Sequence, residues 1–223
     1  ALGRYKIFSF SSSPVANGKY VSPRQVPSAD LKLISDRLKT YCAWLKVSDA
    51  VQTTLCSSAI TNLKTHFVSN QGSDIEQDFL FIANSFSATA EKNGQTQTRT
   101  LNGGRGRCWQ TGFEVFDNPK LEELCRQTGE QALELVNAEN CPDDNCHLIL
   151  MPDQMMLQIH ESVGHPLELD RILGDERNYA GWSHVKLEDF GRLQFGSPLM
   201  NITFDPTIES EFATFAFDDC GQP

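Results

Sequence analysis

Apolar residues recur along this chain at two spacings, every three to four positions in some stretches and every second position in others. From Ser28, residues Leu31, Ile34, Leu38, Tyr41, Cys42 and Leu45 keep the helical spacing, which predicts an amphipathic helix capped by Ser28. Ahead of it, Tyr5, Ile7, Phe8 and Phe10 alternate and predict a short strand that ends in a Ser-, Pro- and Gly-rich loop. A weaker helical pattern covers Ser48 to about Cys56. Beyond it the period changes to two. Segments at Ile60–Ser69, Ile75–Ala90 and Gln95–Leu101 flank the turn signals Asn70-Gln71-Gly72 and Lys92-Asn93-Gly94 and predict an antiparallel meander with one wet face. Asn118-Pro119 then opens a second helix whose buried stripe is Leu121, Leu124, Cys125, Ala132, Leu135 and Val136. His147–Met151 reads as a short apolar strand, stopped by Pro152-Asp153. A last helix follows from Gln154 to Gly174, with Met155, Met156, Ile159 and Val163 on a side expected to be mostly interior. The expected fold class is α+β, with antiparallel sheets covered by helices.

Composition narrows this picture. A chain of 223 residues that is 39% hydrophobic can bury a sizeable core, as one large domain or two small ones. Its 29 acidic residues outnumber 19 Lys and Arg, for a formal charge of −10, which speaks against a phosphate-binding surface and so against nucleic acid as a partner. Seven Cys, an odd number without paired spacing, read as free thiols in a reducing compartment, so the expected location is cytoplasmic. No run of 18 apolar residues occurs and the first residues do not read as a signal peptide, so no membrane association is expected. The sequon at Asn201 is then accidental. The start, which lacks Met, and the end at DDCGQP are expected to be cuts within a longer protein.

The candidate chemistry lies in the last helix. HESVGH places His160, Glu161 and His165 within six residues, with Glu168 and Asp170 just beyond. Two imidazoles and an adjacent carboxylate are the usual first half of a zinc hydrolase site, the pair holding the ion and the Glu handling protons. The spacing is HExxxH, however, and residues five apart on a regular helix differ by about 500°, roughly 140° past one full turn. The two rings can converge only if the helix bulges, and a single π-type turn near Gly164 meets that need. Two further segments invite a functional reading and are given a structural one. Asn102–Gly112, NGGRGRCWQTG, is rich in Gly but lacks the Lys-Ser/Thr ending of a P-loop and the spacing of a dinucleotide fingerprint. Cys141–His147 holds two Cys and a His without a second pair at zinc-finger spacing and is read as a turn.

The residues also match a known family. HESVGHPLELD, His160 to Asp170, resembles the HEAxGHxxEAD signature of the TldD/PmbA family of metallopeptidases, once described as modulators of DNA gyrase. SNQGSDIEQ at Ser69–Gln77, the GFE of Gly112–Glu114, PLMNITFDPTIE, and FAFDDCGQP at Phe215–Pro223 resemble further family segments, so the likeness runs from about Ser57 to the end. The resemblance implies an active TldD-like zinc metallopeptidase that cleaves unfolded or flexible peptides, with His160 and His165 as Zn²⁺ ligands and Glu161 as general base. It gives Glu168 and Asp170 a supporting role beside the ligands. It implies a third ligand from a Cys in a CGKxGQ-like segment that has no match here, and at Cys220 this chain departs from the acid usual in the family. It also implies a homodimer, or a heterodimer with a related subunit. Residues 1–145 would be a helix and antiparallel-sheet region, incomplete at its start, and 146–223 the truncated start of the metallopeptidase domain. The alternative is a non-catalytic, partner-binding subunit or fragment with an incomplete metal site.

Overall fold

The computed structural model describes residues 15–104, 106–209 and 211–223; the strand expected from Tyr5 to Phe10 lies outside them. One very long strand organises the rest. β3 (Asp74–Lys92) is bonded along one edge to β2 (Val51–Val68), one residue shorter, antiparallel, from Val51 opposite Ala90 to Val68 opposite Asp74. Its other edge is shared by three short strands placed end to end. β1 (Asn17–Val21) runs parallel to it at Asp74–Asp78, β5 (Arg107–Gln110) antiparallel at Phe81–Asn84, and β4 (Gln95–Leu101) antiparallel at Phe86–Lys92. The class is thus α+β with a mostly antiparallel sheet, and the parallel β1 is a pairing the local pattern did not announce.

The meander forms for the expected reasons. Asn93 and Gly94 both take positive φ, at 53° and 78°, which is the two-residue turn that suits the twist of a hairpin. β2 departs from expectation at its start: the helix predicted from Ser48 to Cys56 is a turn leading into strand at Val51. Val51, Thr53 and Thr54 are β-branched and fit a pleated surface, and Ala90 and Thr89 of β3 supply the partners.

Helices cover one face of β3. α1 (Leu31–Leu45) and α2 (Leu121–Asn137) pack on Leu80, Ile82, Phe86, Ala88 and Ala90, which alternate along the strand and join Ile34, Tyr41, Leu45, Cys125, Ala132 and Val136 in one core. The cap of α1 is Asp30 rather than Ser28; its carboxylate accepts from Lys32 N at 2.9 Å. At the helix crossing, a Cβ on Gly129 would sit 2.3 Å from Leu45 O, so only glycine permits that approach. Thr128 and Gly129 complete the buried stripe of α2, whereas Leu135 is exposed.

The opposite face of β3, at Ile75, Gln77, Phe79 and Phe81, is covered by the returning C-terminal segment. The Gln77 side-chain amide acts as an extra peptide unit: its Nε2 donates to Phe217 O at 3.0 Å and its Oε1 accepts from Phe217 N at 3.2 Å. Gln110, 1% exposed, donates to Thr214 O at 2.6 Å and accepts from Tyr20 OH at 2.6 Å.

Two expectations for the C-terminal third are corrected. His147–Met151 forms no strand, and Leu148, Ile149 and Met151 are exposed; an apolar run needs an edge to pair with, and among the described residues none lies beside it. The following helix is not interior either. Met156 is 61% exposed, and within the turn that follows only Val163 is buried. Among the described residues no helix is long and apolar enough to cross a membrane.

Candidate metal centre

The stretch expected to be one helix is four short pieces. α3 (Pro152–Ile159) starts on Pro152, whose missing N–H costs nothing at a first helical position. It passes into a π-turn over His160–Gly164, a 3-10 turn over His165–Leu167, and α4 (Leu169–Leu173), which Gly174 ends in the left-handed conformation. The bulge therefore lies where the five-residue spacing required it. His165 N donates to His160 O, closing the wider ring, and Pro166 has no N–H with which to continue the regular ladder. Gly164 itself is helical, at φ −57°, and a Cβ there would meet only His160 Nδ1, at 3.9 Å. The bulge thus owes more to Pro166 than to glycine.

The turn brings the two imidazoles together, with ring centroids 4.3 Å apart and planes inclined at 67°. His160, Glu161 and His165 each offer a ligand atom, and these atoms lie within 4.8 Å of one another. Two nitrogens around a tetrahedral ion at ~2.1 Å bonds stand ~3.4 Å apart, a separation that side-chain rotation can reach from this grouping. His165 Nε2 lies 4.0 Å from Glu161 Oε2, while its Nδ1 bonds Glu168 Oε1 at 2.7 Å. The hydrogen bond to His165 holds the Glu168 carboxyl below its ordinary range, and the neighbouring Arg171 adds to the effect. Arg171 ion-pairs with the second oxygen of Glu168 and reaches back to Ala180 O at 3.2 Å. The donor set fits a divalent ion: two imidazoles, one of them oriented by a carboxylate that is itself anchored.

Not every expected residue gathers here. The Asp170 carboxylate accepts from Arg171 N at 2.8 Å, a local backbone contact at the start of α4. Cys220 is exposed, and its N donates to Asp218 in the C-terminal loop. Cys141 and Cys146 are exposed and free. Two features escaped the sequence. Arg171 carried no motif, though its place three residues after Glu168 on a helical start was a usable signal. The other is the pairing of the Gly-rich turn after β4, itself visible in the sequence, with α3 and Phe212 in a cleft of about 560 Å³ that opens beside His160.

A mixed α+β fold carrying a two-histidine, one-glutamate cluster on a bulged helix defines a candidate site for a divalent metal ion. The chain is 29% identical over 198 residues to a metalloprotease of Methanothermobacter thermautotrophicus, a match covering 88% of this chain and 39% of that protein. It is 30% identical over 158 residues to a metalloprotease of Methanocaldococcus jannaschii, covering 71% of this chain and 32% of the relative. The chain thus spans well under half the length of the curated relatives it matches. No family model matches it.

Proposed function

We propose that this chain carries the metal-binding helix of a zinc metallopeptidase of the TldD-like type, acting on unfolded or flexible peptides. The observation that carries the reading is the π-turn, which draws His160, Glu161 and His165 into one group although their spacing is wrong for a regular helix. The likeness of HESVGHPLELD to the TldD/PmbA signature and the names of the two relatives support the same reading.

In this reading His160 and His165 hold the ion. A bound Zn²⁺ supplies Lewis acidity, which lowers the pKa of a water from about 15.7 toward 7. The residues of the chain do the rest. Glu168 fixes the His165 ring so that Nε2 faces the cluster, and Arg171 fixes Glu168. Glu161 stands close enough to take the proton of the attacking water and return it to the leaving amine. The cleft beside His160 holds the peptide. We place the third ligand outside the two-histidine group, in a segment such as the family's C-terminal Cys. The pairing with a second copy or a related subunit, and the division at residue 145, belong to the same proposal.

The test is Glu161→Gln in the natural full-length protein. Zinc should stay at the parent stoichiometry while cleavage of an unfolded protein falls by at least about 100-fold; a variant as active as the parent would remove Glu161 from the mechanism. The two-ligand set also favours a second reading, a partner-binding subunit with an incomplete site. That reading requires the full-length protein to hold no stoichiometric zinc, which elemental analysis counts directly.

A further inference from the structure

The cleft beside His160 has two unlike walls. One is α3, which presents Met156 and Leu157, 61% and 36% exposed, with Phe212, 58% exposed, completing the apolar surface. The other is the turn after β4, where, among the described residues, Gly103, Gly104 and Gly106 contribute backbone alone, beside Asn102. Two of these glycines are dictated by the fold. Gly103 has φ +80°, with Asp153 Oδ2 3.0 Å from where a Cβ would be; Gly106 has φ +71°, and a Cβ there would overlap Asn84 O at 2.4 Å. Gly104 is different: its φ is ordinary and a Cβ would meet nothing within 4 Å. Among the described residues no neighbour requires glycine there, and its bareness leaves the cleft open at that point.

From this we infer, building on the peptidase reading above, that the cleft is a subsite for an apolar side chain of the peptide next to the bond cut at the cluster. The volume of about 560 Å³ lies within the range of small-ligand sites and exceeds the needs of one side chain, so a short extended segment fits. Met156 and Leu157 lie on α3 within one turn of His160, so a side chain resting on them places its own backbone at the cluster. Met adapts to differently shaped apolar partners, and the three glycines let the peptide backbone approach closely. Among the described lining residues the charged carboxylate is Asp153, which disfavours an acidic residue beside it.

The experiment uses the zinc-loaded full-length protein carrying Glu161→Gln, with methyl-labelled methionine, titrated with the amides of Ala-Phe-Ala and Ala-Asp-Ala. The Phe peptide should shift the Met156 methyl resonance and bind at least about tenfold more tightly than the Asp peptide. Gly104→Leu should weaken the Phe peptide by a similar factor, because its side chain fills space that is open in the parent. In parallel, the cleavage sites made by the parent and by Met156→Glu in an unfolded protein are mapped by mass spectrometry. The parent should favour Phe, Leu or Met at one position flanking the cut, and the variant should lose that preference. Equal affinities for the two peptides, or a Met156 methyl that does not respond, would overturn the subsite. Selective binding without any cleavage by the parent would support the subsite and defeat the peptidase reading, so the two failures are distinguishable.

Discussion

Glu168 accepts a 2.7 Å hydrogen bond from His165 Nδ1, which leaves Nε2 as the ring nitrogen turned toward His160 and Glu161. A carboxylate so placed both orients the imidazole and raises its basicity as a ligand. Glu168→Gln should therefore weaken zinc binding by about 10–100-fold while leaving the fold unchanged. Competition with a chromophoric chelator measures this, and an unchanged zinc affinity would mean that Glu168 only trims the helix start.

Gly164 sits in the bulged turn without needing to be glycine. Its φ is −57° and its nearest neighbour to a new methyl is 3.9 Å away. Gly164→Ala should leave zinc binding intact and stabilise the protein by about 0.5–1 kcal/mol through the unfolded chain. Thermal unfolding of the variant decides; a loss of more than about 1 kcal/mol would show that the turn relies on glycine after all.

Glu114 ties the segment before α2 to the loop after β1. Burial opposes its ionisation. The hydrogen bonds it accepts from the Thr111 hydroxyl and from the N–H groups of Val26 and Gln25 win, and its carboxyl is held at about 2. Because the folded value lies below the ordinary 4.5, its contribution is fully present above pH 4.5 and is lost as pH falls from 4.5 toward 2. Glu114→Gln should cost about 1–2 kcal/mol at pH 7, after allowance for solvent screening, and almost nothing at pH 2. Urea unfolding at the two pH values checks the difference; equal losses would contradict it.

Five of the seven thiols should divide into two classes. Burial pushes Cys125 up to about 12 and raises Cys56 as well, with Cys42 beside each of them. Cys141, Cys146 and Cys220 are exposed. Iodoacetamide at pH 8 should label these three in the native state, and Cys56 and Cys125 only after denaturation. Peptide mapping after timed labelling reads the outcome, and early modification of Cys125 would contradict the packing of α2.

Gln110 joins three segments at once, through Tyr20 OH, Thr214 O and Phe212 O. Replacing it with Ala leaves the buried Thr214 O and the half-buried Tyr20 OH without these partners, at a cost of about 1–3 kcal/mol. The same variant should also loosen Phe212, so its affinity for the Phe peptide should fall with its stability. A variant as stable as the parent would show that the C-terminal segment is held by its phenylalanines alone.

What the sequence revealed and what it hid divide by distance along the chain. The Asn93-Gly94 hairpin, the stripes of α1 and α2, and the bulge in HESVGH are local consequences of dihedral preference and helical period, so they could be read directly. The start of β2 was misread because Val51 to Cys56 is short enough for either period, and only Ala90 and Thr89 across the ladder decide it. β1 was invisible as a parallel strand because its partner lies 57 residues away. Periodicity along Met155 to Val163 showed which side of the helix is apolar; it carried no information on whether anything covers that side. Likewise, the glycines of Asn102–Gly106 looked like a motif without a ligand until α3 stood opposite them.

The contacts that build the site also differ in when they can form. The histidine pair closes over a single backbone turn, whereas Gln110 meets Thr214 across 104 residues and Gln77 meets Phe217 across 140. Local closure takes microseconds or less, and long closures wait for the chain to exist. At about 5–20 residues per second, Phe217 leaves the ribosome roughly 3–10 s after His165. The two histidines are therefore side by side before the Phe212 wall is in place, and in the proposed reading the metal end of the site takes shape earlier than the cleft beside it.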